Sequence, residues 1–323
     1  MKLRVYIVRR LLLAIPVLLI VVISNFILIH IAPGDPATIM AGPFAQDPVY
    51  IQAMRVKYGL DKSLPEQLFI YLANILRGDF GYSYSYGKPV LEVISSRMPA
   101  SLLLIATGGI ASILIGIFVG VICAMRYGKK TDTALSFMSL VTFSMPIFWL
   151  GLMLMLVFAL RLHWFPTSGM MSVVGEYSAM GRGLDILWHL FLPVASIVLV
   201  WFGEYVRITR ASIAEVMNED FITTARAIGY SERTIFFKQA FRNALLPVVS
   251  VAGMELGMVL VGGTVMAETV FAWPGMGSLM FDAIKFRDYP LLMGNFIIMC
   301  VIVVVATLIT DVVYGLLDPR VEY

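Results

Sequence analysis

Long uncharged apolar windows, separated by short clusters of ionisable residues, dominate this chain. A helix rises about 1.5 Å per residue and the hydrocarbon layer of a bilayer is about 30 Å thick, so about 20 apolar residues make one crossing. The first window runs from Leu11 to Gly34. Met98–Met125, Thr133–Leu160 and Ile186–Gly203 follow, then Asn243–Ala267, broken only by Glu255, and Tyr289–Thr310, which has no charge at all. The pattern predicts an all-α integral membrane protein of six transmembrane helices, the last five near 99–124, 133–160, 187–206, 244–267 and 289–311. Lys2, Arg4, Arg9 and Arg10 ahead of the first window mimic a secretory signal. The window is nevertheless long enough to span, and no small-x-small cleavage site follows it, so it is expected to be a retained first span.

Orientation follows from Lys and Arg in the short loops, which resist translocation, whereas Asp and Glu matter little. The basic N-terminus, Arg126 with Lys129 and Lys130, and the six basic residues from Arg207 to Arg242 all fall on one side. That side is expected to be cytoplasmic, with both termini in the cytoplasm, including a tail at 317–323. The opposite side receives Arg161 and Arg182, Lys285 and Arg287, and a long segment from Asp35 to Arg97 in which six basic residues meet six acidic ones. The chain thus divides into an N-terminal part, 1–96, made of the first span and a long extracytoplasmic loop, and a membrane domain, 97–316.

Loops above about 15 residues usually carry structure or function. In the long segment, Asp47-Pro48 and Ser63-Leu64-Pro65-Glu66 read as helix starts, with apolar residues at helical spacing through Met54 and through Leu76. Gly78-Asp79-Phe80-Gly81 and the aromatics Tyr82, Tyr84 and Tyr86 then break the pattern. Two readings stand: a cap packed over the spans, or a docking surface for a soluble partner.

Composition adds one constraint. With 59% hydrophobic and 14% charged residues and a mean hydropathy of +0.87, the apolar surface exceeds what a soluble core can hide. The 24 basic residues are scattered among 21 acids, which speaks for membrane topology and against a nucleic-acid partner. Cys123 and Cys300 lie inside apolar runs and read as small hydrophobes.

The segment 204–242 has the pattern of a folded unit. Ile213, Val216, Met217, Phe221, Ile222, Ala225 and Ile228 recur at helical spacing; Gly229 and Ser231 intervene; Ile235, Phe236, Ala240 and Phe241 resume. Gly can close a helix in the left-handed conformation and Ser can accept from the orphan amides that open the next, so helix, tight turn and helix are expected. Phe236 and Phe237 facing water would be costly unless another surface covers them. A partner protein is the simplest cover; packing beneath the chain's own bundle is the alternative. A helix-turn-helix can also read DNA, but Glu215, Glu219, Asp220 and Glu232 are interleaved with the basic residues.

Catalytic and metal constellations are missing from the sequence. Gly128-Lys129-Lys130 lacks the glycine spacing and the Ser or Thr of a phosphate cradle, His30, His163 and His189 are far apart, and no Ser/His/Asp set stands out. Glu255 is the one acid near the middle of a span, where ionisation costs about 2.5–3.5 kcal/mol on insertion scales. It either lines a translocation path or is a protonated glutamate bonded between helices. Ser144 and Asn295 are further path candidates, with hydrogen bonding between helices as the alternative, as for Ser139, Thr142 and Thr264. In AWPGMG, Trp273 suits a membrane interface and Pro274-Gly275 forces a reversal, as a lid-like loop or a plain turn.

TTARAIG at 223–229 followed by RNALLP at 242–247 resembles the EAA loop of binding-protein-dependent ABC importer permeases, in the form found in the dipeptide/oligopeptide/nickel group. APGDP at 32–36, ETVFAWPGMG at 268–277 and DVVYGLLDPR at 311–320 resemble the B-type subunit, and the likeness runs essentially end to end. The resemblance implies the type I permease fold of six spans, in an inner membrane, and a coupling loop over 204–245 that seats in a groove of an ATPase subunit. Thr223, Thr224 and Ala225 take the E-A-A positions, Gly229 is the motif glycine, and Leu246-Pro247 is the closing pair; Phe236 and Phe237 join them as candidate coupling residues. The motif Glu is absent and the Gly229–Pro247 distance is longer than in sugar-type permeases, as in the peptide group. The implied partners are a second homologous permease, two cytoplasmic ATPases that bind ATP and Mg, an external substrate-binding protein and membrane lipid. This chain itself would be no enzyme and hold no cofactor. Cargo would be dipeptides or oligopeptides, with nickel, glutathione or oligosaccharide as alternatives and an ion-gradient secondary transporter as the more distant one.

Overall fold

The computed structural model describes residues 3–31, 35–172, 178–258 and 264–317. They fold almost wholly as helices, α1 (Leu3–Ile31), α2 (Pro36–Ala41), α3 (Pro48–Tyr58) and α4 (Leu64–Leu76) coming first. A two-residue hairpin, Tyr82–Ser83 with Lys88–Pro89, precedes α5 (Val90–Met125), α6 (Lys130–Phe143) and α7 (Ile147–Leu154), which runs on through a π-turn to Arg161. Then come α8 (Ala179–Val216), α9 (Asp220–Ile228), α10 (Glu232–Thr234), α11 (Phe241–Met258), α12 (Thr264–Val270), α13 (Met276–Lys285) and α14 (Tyr289–Leu317). By contact the chain forms two compact units, one of Leu103–Trp273 with the chain from Ala306, the other of Lys2–Leu102 with Pro274–Val305.

Among the described residues four helices are long and apolar enough to cross a bilayer: Arg9–Ile31, Val90–Met125, Met180–Val216 and Tyr289–Thr310. The stretch at 133–160, which hydropathy reads as one crossing, is two helices bent by 102° between Phe143 and Ile147. Pro146 causes this: it takes an extended conformation (φ −62°, ψ 131°) as the residue before α7, and a proline disfavours helix in Met145 ahead of it. Counted as one span, the pair makes five. In the window expected at 244–267, helix is described as α11 and the seven-residue α12, and residues 259–263 lie outside the described residues. The fourth window ends at Gly203 only as hydropathy; the helix continues for about three and a half more turns to Val216.

In the first unit α8 is the hub, packed against α6, α7, α11 and α12. Small residues allow the closest approaches. Gly108, Ser112, Gly116 and Gly120 recur every four residues on α5, and a Cβ on Gly108 would lie 2.9 Å from Ile197 and one on Gly120 2.6 Å from Thr209, both on α8. On the other side of α8, a Cβ on Gly203 would lie 2.5 Å from the Ser139 carbonyl of α6.

In the second unit Val90, Val93 and Ile94 pack with Met276, Leu279, Ala283 and Leu291. The segment 35–89 is ordered by its own caps. Asp47 accepts from the amides of Val49 and Tyr50, and Ser63 and Glu66 form a capping box at the start of α4, both at the starts read from sequence. It is also tied down: the buried Asp288 accepts from Ser83 Oγ at 2.6 Å and from the Ser85 amide at 3.1 Å, and Tyr86 donates to Asp282.

Candidate functional site

The segment between α8 and α11 is an elbow built from local rules. Ile222 and Ala225 are the buried positions of α9, three apart and so on one face. Gly229 ends the helix at φ 95°. Its amide donates to the Arg226 carbonyl at 3.0 Å and the Tyr230 amide donates to Ala225 at 3.2 Å, the two bonds of a Schellman closure. Ser231 opens the next helix, its hydroxyl accepting from the Thr234 amide at 3.4 Å. Across the turn the Arg226 guanidinium meets the Glu232 carboxylate at 2.8 and 3.4 Å, and this hydrogen bonding holds the Glu232 carboxyl below the usual range.

The second arm enters α11 through a π-turn over Ile235–Ala240, in which the Phe241 amide reaches back to Phe236. The extra residue shifts the face of the helix, so Ile235, Phe236 and Ala240 all point inward. Ile235 and Ala240 close on Ile222 and Ala225, and Phe236 packs with Ile213 and Ala244. Ser212 donates to the Ala244 carbonyl at 3.0 Å, pinning α8 to α11. The elbow is therefore one packed body with the α8 end.

Both aromatics of the Phe236–Phe237 pair are expected on the surface from sequence; only Phe237 is, at 45% exposure, with Phe236 edge-on to it at 5.1 Å and buried. Each is on a different side because successive helical residues differ by about 100°. Thr223 and Thr224 are exposed, Ala225 is buried, Gly229 is exposed, and Leu246 and Pro247 are exposed on α11. Phe221, Ile228 and Tyr230 are further exposed apolar residues of the elbow, Ile228 at 70%.

The other sequence candidates lie elsewhere. Ser144 is exposed at the end of α6, its hydroxyl donating to the Leu140 carbonyl. Asn295 is fully buried in α14 and donates to the Met276 carbonyl at 2.9 Å. The Glu255 side chain lies outside the described residues. Trp273 is fully buried, its amide donating to Glu268 at 2.8 Å to close a tight turn after α12; Pro274 and Gly275 lead into α13.

An ion pair that pattern reading misses lies above the elbow. Arg210 of α8 donates to both carboxylate oxygens of the buried Asp132 at 2.6 and 2.8 Å and lies over the Tyr127 ring at 4.7 Å. Asp132 also accepts from the Gly128 amide and from Ser136, so the α5–α6 turn is clamped to α8. A cavity of about 480 Å³ lined by Ser136, Leu140, Glu204 and Arg207 adjoins the pair. No group of three or more potential metal ligands occurs among the described residues.

Residues 116–323 match the family model described as the inner-membrane component of binding-protein-dependent transport systems, and residues 3–105 match the N-terminal model of such membrane components. The chain belongs to this family. It is an integral, multi-pass inner-membrane permease. It is 40% identical to the oligopeptide transport system permease protein AppB of Bacillus subtilis (strain 168), covering 98% of this chain and 99% of that one. It is 34% identical to the di/tripeptide permease DppB of Pseudomonas aeruginosa (strain UCBPP-PA14), covering 98% of each, and 35% identical to the glutathione permease GsiC of Escherichia coli (strain K12), covering 98% and 99%. Among solved structures, the MetNI methionine ABC transporter in an inward-facing conformation shares the permease fold, at TM-score 0.55 and 16% identity over 71% of this chain and 97% of that one.

Proposed function

We propose that the permease is one of two membrane-spanning subunits of an ABC importer for short peptides, driven by separate ATPase subunits that grip its elbow. The carrying observation is that the elbow is rigid where it meets the bundle and uncovered on the opposite side. Its inner residues lock to α8 and α11, while Phe221, Ile228, Tyr230 and Phe237 stay exposed. Such a body transmits a push to α8 without absorbing it, and its apolar outer face requires a partner in water. The elbow and both termini face the cytoplasm on the charge distribution of the short loops. ATP and Mg bind to the ATPases, this chain forms no covalent intermediate, and an external binding protein delivers the cargo. Thr223, Thr224, Gly229 and Phe237 form the coupling surface, with Ala225 packed behind it.

Similarity to AppB and DppB supports peptide cargo; similarity to GsiC keeps glutathione as the second reading. The test is uptake of a labelled dipeptide and of a longer peptide by cells or proteoliposomes carrying the assembled transporter. Competition by unlabelled peptides but not by glutathione or nickel is expected. Uptake blocked only by glutathione would replace the cargo, and uptake by this chain without any ATPase would overturn the mechanism.

A further inference from the structure

The geometry points to α4 as an interfacial membrane helix, its outer face of Phe69, Leu72 and Leu76 seated among lipid acyl chains beside the end of α1. The polarity of this helix is inverted relative to one in water. The face turned toward α1 carries its glutamine: Gln67 is buried, its Oε1 2.9 Å from His30 Nε2 and its Nε2 donating to the carbonyls of Leu60 and Lys62. Tyr71, on the same side, lies 6.1 Å from the Phe26 ring. Phe69 and Leu76 are exposed at 73% and 87%, and at about 100° per residue they lie about 160–180° around the helix from Gln67. A helix on a soluble surface would turn its large apolar residues inward and its glutamine outward.

Depth and length agree with an interfacial position. α4 touches α1 through Phe26 and His30, and the apolar span Arg9–Ile31 ends one residue later. Phe26 is five residues short of Ile31, so α4 meets α1 within about 8 Å of the span's end, inside the about 5–10 Å to which interfacial helices sink. Thirteen residues make about 20 Å, too short to cross the hydrocarbon layer. The surface of α1 at this end is lipid-facing too, with Ile27, Leu28 and Ile31 exposed, so the outer face of α4 continues an apolar surface already in the bilayer. Asp61, Lys62 and Glu66 at one end and Arg77 at the other are exposed at headgroup level.

Spin-label accessibility tests this. In a background with Cys123→Ser and Cys300→Ser, single cysteines replace Phe69, Leu76, Leu28 as a lipid reference and Glu66 as a water reference. The full-length permease, purified with the subunits that accompany it, is placed in nanodiscs of phosphatidylethanolamine and phosphatidylglycerol. Labels at 69 and 76 are expected to relax several-fold more with oxygen than with a water-soluble nickel chelate, as at 28, and the order is expected to reverse at 66. Relaxation at 69 and 76 like that at 66 would place the helix in water and overturn the inference. Protection from both agents would place a protein on this face and overturn it equally. Two positions are read because a label at 69 lies nearer the packed middle of the helix.

Discussion

Gly229 is the residue on which the elbow turns. No atom lies within 4 Å of a Cβ built there, so a side chain has room, and the cost comes from φ 95° alone. A left-handed backbone costs an L-residue about 1–2 kcal/mol, more for a β-branched one. Gly229→Val is therefore expected to leave membrane insertion intact while loosening the turn. Substrate-stimulated ATP hydrolysis and uptake, measured together in proteoliposomes, should separate, with hydrolysis continuing and uptake falling; normal uptake would remove Gly229 from the coupling surface. The clamp above it is a second test. Asp132 is buried against Arg210, whose side chain is 31% exposed, so removing the carboxylate loses the charge-assisted hydrogen bonds and leaves a guanidinium that water only partly reaches. Asp132→Ala should lower the thermal midpoint of the purified permease, and adding Arg210→Met should recover much of the loss. The caps at Gly229 and Ser231 are legible in the sequence because they depend on neighbours three or four positions away. Asp132 and Arg210 are 78 positions apart, and nothing in a charge pattern joins them.

Elements were legible where hydropathy and helix end together, and not elsewhere. Charge at Glu204, Arg207 and Arg210 ends the apolar window of α8 but not its hydrogen bonding, so the helix runs on to carry the elbow. Hydropathy is also blind to direction, which is why the 102° bend at Pro146 is absent from the apolar profile. The α5 stripe predicts its own outcome. A Cβ on Gly116 would meet Tyr205 and would lie 2.8 Å from the Phe202 carbonyl, a backbone atom that cannot swing aside. Gly116→Leu should force α5 from α8 and abolish recovery of folded permease. Gly183→Ala, where a Cβ meets nothing, should leave the yield unchanged or raise it, since Ala is about 1 kcal/mol better than Gly within a helix. The turn between α9 and α10 has a pH signature. Because the Glu232 carboxyl is held below its ordinary value of about 4.3, the ion pair supports the turn at every pH above that value and is lost only as pH falls through the lowered one. A nitroxide at position 228 should show unchanged mobility from neutral pH down to about 5 and greater mobility only once the pH has fallen below the ordinary glutamate range, and Glu232→Gln should erase the difference.

At the scale of the whole molecule, the spans themselves argue for company. In the apolar windows of α1, α5, α8 and α14 only 17%, 33%, 44% and 22% of residues are buried within the chain. Lipid can cover the remainder where it is apolar, but lipid cannot enclose a path for a polar cargo, because unpaired backbone groups and charges in hydrocarbon cost several kcal/mol each. On the proposed function, a second bundle would supply the missing wall. The elbow, which the charges of the short loops assign to the cytoplasm, likewise leaves Ile228 and Tyr230 uncovered. Mild-detergent purification through a tag on this chain should therefore bring down a second permease and two nucleotide-hydrolysing chains in stoichiometric amounts. Replacing Ile228 and Phe237 together by Asp should release the hydrolysing chains while retaining the second permease, since the elbow and the spans are different surfaces. Retention of both would mean that the uncovered face of the elbow is not where the motor binds.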